Sequence, residues 1–149
     1  MPATITEAVD DMLGILNTAW TTVVVPLGFL GLVFDDNPEA RPLVESGGDV
    51  PNWGRALVRH FDGFQPTLTS DTGNRRFRRT GAMTITVYAR QDTGRRLLDP
   101  AAQAVIDALQ GKCTTNGVIF RQVRLAEVGQ DGVWFAANII ANFEYDQVT

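Results

Sequence analysis

The chain is poor in the residues from which most catalytic and metal centres are built. Its 149 residues include one cysteine, Cys113, and one histidine, His60. A single cysteine excludes a disulfide within the chain and any multi-cysteine metal cluster. A single histidine leaves a zinc site or a histidine-based triad short of ligands. Lysine is almost absent too: of 13 basic residues only Lys112 is not arginine. Residues 19–34 are the most apolar stretch, but Pro26, Gly28 and Gly31 interrupt them, and a spanning helix needs about 20 apolar residues. No membrane partner is expected. The first twelve residues hold Glu7, Asp10 and Asp11 and no lysine or arginine, which argues against a signal peptide. The expectation is a chain made in cytoplasm with Cys113 as a free thiol.

What is present is an ordinary globular composition, 44% apolar and 20% charged. The length fits one domain covering 1–149 and suffices for a core without staples. The net charge of −4 hides an asymmetry, because Arg75, Arg76, Arg78 and Arg79 fall within five positions and the remainder carries −8. An acidic body with one cationic segment points to a localised contact rather than a basic face for wrapping a duplex. Arginine suits interface ion pairs because its planar fork engages carboxylates bidentately.

Patterning gives the elements. Thr4 with Glu7 three residues on is a capping box, and Ile5, Val9, Met12, Leu13, Leu16 and Trp20 recur at helical spacing, so a helix is predicted over 4–19. A turn and a strand at 30–34, buried on both faces, should follow, ended by Asp35-Asp36-Asn37-Pro38. Residues 39–52, with Pro42, Gly47, Gly48 and Pro51, read as a surface loop. A strand is predicted from Trp53 to Phe61, with Trp53, Arg55, Leu57, Arg59 and Phe61 on one side and Ala56, Val58 and His60 on the other. Both sides are mixed, so this strand should touch something besides a simple core. After a turn at 71–74, Met83, Ile85, Val87 and Ala89 alternate with Thr84, Thr86, Tyr88 and Arg90 as a half-buried strand. Together the two strands form a long hairpin with a cationic tip. A second helix ends near Gln110, capped by Gly111, and begins either at Asp99-Pro100 or near Arg95. A closing hairpin pairs 118–128 with 133–145 through a turn at 129–132. The predicted class is α+β: a mostly antiparallel or mixed sheet with two main helices packed on it.

The search for chemistry finds little. Cys113 and His60 lie in no nucleophile motif, and Asp35-Asp36-Asn37 lacks the alternation of a calcium loop. No glycine pair is followed by the lysine and hydroxyl of a phosphate loop. No catalytic residue, metal or cofactor is assigned. The segment Arg75-Arg76-Phe77-Arg78-Arg79 stands out. Guanidinium groups interleaved with an aromatic ring can pair with carboxylates of a neighbouring subunit or engage phosphates and bases. They can also act as a solvated tip that protects a strand edge.

In order of elements the chain resembles the tail terminator, or tail-completion, proteins of long-tailed bacteriophages and phage-like particles. The features that carry the resemblance are the amphipathic N-terminal helix and the early strand ending Val33-Phe34-Asp35-Asp36-Asn37. Trp53-Gly54-Arg55 follows, then the arginine hairpin leading into Gly81-Ala82-Met83-Thr84-Ile85-Thr86-Val87-Tyr88. The helix opened by Thr93-Gly94-Arg95-Arg96-Leu97-Leu98-Asp99-Pro100 comes next. The last is the terminal hairpin with Trp134-Phe135-Ala136-Ala137-Asn138 and Phe143-Glu144-Tyr145-Asp146. The resemblance implies a non-enzymatic virion protein, assembled in the host cytoplasm into a ring, usually a hexamer, at the head-proximal end of the tail. Its implied partners are itself, the tail tube protein and a head-completion or connector protein, with DNA passing through the channel without sequence-specific binding. Another neck ring component, such as a head-closure or tube subunit, and a nucleic-acid-binding module using the arginine hairpin are the alternatives. Arg75, Arg76, Phe77, Arg78, Arg79, Trp53 and Trp134 are the candidate contact residues.

Overall fold

The computed structural model describes residues 4–27, 29–30, 32–34, 52–64, 76–90, 95–131 and 134–148. Of the loop expected over 39–52 all but Asn52, and with it the Asp35-Asp36-Asn37-Pro38 turn, the turn at 71–74 and Arg75, lie outside the described residues.

Helix α1 spans Ile5–Ala19. Its capping box forms as predicted: the Glu7 N–H donates to Thr4 Oγ1 at 3.2 Å and the Thr4 N–H to the Glu7 carboxylate at 3.0 Å. The inner face is Ala8, Met12, Leu16 and Trp20, all fully buried, while Ile5 is 45% exposed and does not belong to it. The helix does not stop at Ala19. It continues as a π-helical turn over Trp20–Val24 and a 3₁₀ turn over Val25–Leu27. Thr21, Thr22 and Val23 disfavour helix, yet burial of Trp20 and Val24, four residues apart on one side, overrides that preference. The following strand is short. Strand β1 is Val33–Phe34, and Leu30, expected inside, is 44% exposed.

The other elements are β2 (Trp53–Phe64), β3 (Arg76–Arg90), α2 (Arg95–Leu109), β4 (Ile119–Asp131) and β5 (Trp134–Val148). They form one five-stranded sheet in the order β1-β2-β3-β5-β4. Only β1 pairs in parallel, with β2; the other pairings are antiparallel. The class is α+β. Helix α2 starts at Arg95 and carries Pro100 inside it, which decides between the two predicted starts. The closing hairpin is longer than predicted. Gly129, expected in the turn, lies within β4 at φ +88° beside a register shift against β5. It is a bulge, where a positive φ favours glycine.

Alternation along the strands separates two faces. Ala56, Met83, Ile85, Val87, Ala89, Ala137, Ile139, Ala141 and Phe143 form one buried cluster with α1 and α2. Leu98, Ala101, Ala102, Val105 and Leu109 of α2 are buried in it. Two close approaches depend on glycine. A Cβ on Gly54 would lie 2.2 Å from the Trp20 ring, and one on Gly81 would lie 2.1 Å from the Arg59 carbonyl oxygen and 2.7 Å from the Phe143 ring. Trp20 is thereby pressed on β2, and its indole N–H donates to the Leu30 carbonyl at 2.8 Å, tying the end of the helical segment to the chain that returns towards the sheet.

Candidate interaction surface

The second face of the sheet carries no helix among the described residues. Register places on it Arg55, Leu57 and Arg59 of β2, Arg76, Arg78, Ala82, Thr84 and Thr86 of β3, and Asn138, Ile140, Asn142, Glu144 and Asp146 of β5. Gln122, Arg124 and Ala126 of β4 continue it. Hydroxyl and amide side chains bond across the strands: Thr86 donates to Asn138 at 2.7 Å and Asn142 to Gln122 at 3.4 Å. Leu57 and Ile140 are half-buried apolar groups between them. At one end of the same face Trp53, Tyr88 and Ala136, opposite one another in register, are buried as a small apolar cluster. The rest is polar with isolated apolar side chains, which suits water on one side of an antiparallel sheet.

From Arg76 onward the arginine segment lies in β3: Arg76 and Phe77 pair with β5, and from Arg78 the strand is paired with β2 on one side and β5 on the other. Arg78 sits directly opposite Asp146 and bonds it through Nε at 3.0 Å and Nη2 at 3.5 Å; Arg76 reaches the same carboxylate at 3.7 Å. The bond to Asp146 and its charge raise the Arg78 pKa above the ordinary value. Arg79 points to the other face and donates to the Gln147 side-chain oxygen. Arg121 pairs with Glu144 at 2.6 Å. These guanidinium groups are therefore partly neutralised within the chain.

Three other arginines differ. Arg55 is half-buried, Arg59 and Arg124 are exposed, and none has a carboxylate partner among the described residues. Sequence reasoning did not single them out as contact residues. The signal was nonetheless there: the mixed side of the Trp53–Phe61 strand is this open face.

Trp53 is a correction. Expected at a contact, it is 2% exposed within the chain, stacked on Tyr88 at 4.5 Å with the rings 10° apart, and it packs with Ala136. Trp134 stands at the register position opposite Arg90. Phe77 is partly buried in β3.

His60 and Cys113 do not act as a couple. His60 Nε2 is 2.7 Å from the Tyr145 hydroxyl, with the Phe143 ring edge-on at 5.4 Å. Burial first, and then the Arg79 guanidinium, lower the imidazole pKa below 6.5. Burial raises the Tyr145 hydroxyl above its usual value. Both groups are thus neutral near pH 7, and one hydrogen bond satisfies the pair. The exposed Cys113 thiol donates weakly to the Thr114 carbonyl. No group of three or more metal-ligating side chains occurs among the described residues, nor any helix long and apolar enough to cross a membrane.

No protein-family model matches the chain, and no curated protein matches it in sequence. A solved structure shares its architecture: TM-score 0.61 at 12% identity, covering 91% of this chain and 90% of that one. At that identity the likeness is one of fold.

Proposed function

We propose that this chain is a structural assembly protein of the tail-terminator type. In this reading copies close into a ring, six by the resemblance, that caps a tail tube, stops its growth and offers a surface to the head. The observation that carries the reading is the open sheet face. Among the described residues, a long sheet is covered by helices on one side, and on the other carries a largely polar, arginine-bearing surface beyond the buried Trp53–Tyr88–Ala136 cluster, as expected of a subunit that completes itself against neighbours. A head-to-tail contact whose rotation closes generates a ring. The acidic body suits a channel through which DNA slides, since neutralising phosphates is what would hold it.

Deleting the gene from a particle-producing host tests the reading. Tails of uncontrolled length, restored to uniform length by the intact gene, are the expected outcome. Normal tails on heads that fail to close would instead assign the chain to another ring of the neck.

A further inference from the structure

Among the described residues, the second sheet face and the outer face of α1 carry opposite charge. On the open sheet face Arg55, Arg59 and Arg124 have no carboxylate partner among the described residues. On the opposite side, α1 carries Glu7, Asp10 and Asp11 and no basic residue. Glu7, Asp10, Gly14, Asn17 and Thr21 follow one another at helical spacing and are all exposed. Asp10, Asp11, Gly14, Ile15 and Thr18 line a shallow open concavity. A side chain added at Gly14 would meet nothing within 4 Å, so the floor of this concavity has room for an incoming group. Apolar contact is available on both sides: Leu57 and Ile140 on the sheet, and the half-buried Ile15 in the lining of the concavity on α1.

We infer that the open sheet face of one copy docks on the outer face of α1 of the next, with Arg55, Arg59 and Arg124 set against Glu7, Asp10 and Asp11. The inference rests on the ring reading and names the two surfaces that make the ring. The surfaces are different, so the contact is heterologous, the type that propagates around a ring rather than stopping at a dimer. Opposite charge fixes orientation and register, and like charges brought together oppose every other stacking. Asp11 also accepts from the Asn116 N–H at 3.0 Å, which holds that carboxylate in place before a neighbour arrives.

Charge exchange on the full-length chain tests this by sedimentation, with circular dichroism to establish that each variant is folded. One variant carries Arg55→Glu, Arg59→Glu and Arg124→Glu. A second carries Glu7→Gln, Asp10→Arg and Asn17→Arg, the glutamine preserving the capping box. Each alone should self-associate roughly 100-fold more weakly than wild type, since like charges then face each other. A mixture of the two, or one chain with both sets, should assemble again. Wild-type assembly should also weaken as salt rises, a readout that needs no variant to fold. Wild-type assembly that is indifferent to both reversals and to salt overturns the docking and leaves the ring reading standing. A wild-type chain that stays monomeric at every concentration overturns both. Monomers that retain DNA through the same arginines would give that surface to nucleic acid and overturn the docking as well.

Discussion

Ile139 and Ile140 are neighbours in β5, yet they belong to different chemical worlds. Ile139 is fully buried in the cluster shared with the helices; Ile140 is half-buried among threonine, asparagine and arginine on the other face. A strand's two-residue period makes the separation strict, because sliding by one position would exchange every side chain between the faces. The helix-covered face holds the monomer together through apolar burial. Away from the Trp53–Tyr88–Ala136 cluster at one end, the open face contributes little of that kind and carries the arginines. The same sheet thus serves as a core wall on one side and, in the proposed reading, as a contact surface on the other.

The division can be broken experimentally. The largest effect is expected from Ile139→Ala, which should lower unfolding free energy by about 2–5 kcal/mol, the range for a buried large-to-small change, measured by chemical denaturation of the monomer. A loss under about 1 kcal/mol would mean that the helix-covered face is not the stabilising one.

Acid should have a smaller effect on the same face. The His60 pKa is lowered in the fold, so the unfolded chain takes up the proton first. This contribution is complete above the unfolded value of about 6.5 and declines as pH falls below it. Thermal melts at falling pH should show that decline, and His60→Gln should remove its share. A pH profile that the substitution leaves unchanged would place the imidazole outside the buried cluster.

The smallest effect should come from Arg59→Ala on the open face, within about 0.5 kcal/mol for monomer stability. Equal losses for Arg59→Ala and Ile139→Ala would erase the distinction between the faces.

Much of this architecture is legible in the sequence. Alternation along residues 83–90 and 134–145 separates the two faces before any coordinates, and the Thr4–Glu7 box marks the start of α1. The departures have local causes. Thr21, Thr22 and Val23 prefer strand, so the helical continuation to Leu27 depends on the burial of Trp20, a tertiary effect. Gly129 carries a turn residue's signal but serves a bulge, because a positive φ is useful in either setting. The arginine segment is conspicuous by its density, yet Asp146, far along the chain, pairs with Arg76 and Arg78. A cross-strand partner is invisible without the register. Arg55, Arg59 and Arg124, without a carboxylate partner among the described residues and at ordinary spacing on β2 and β4, attract less notice in the sequence for the opposite reason.

The proposed function stands or falls on whether this chain completes its surface against copies of itself. Sedimentation of the purified full-length chain over a wide concentration range, with electron microscopy of the resulting particles, tests it most directly. One discrete assembly that images as an annulus is the expected result. A monomer at the highest concentration, with tail tubes present as well as absent, would contradict it.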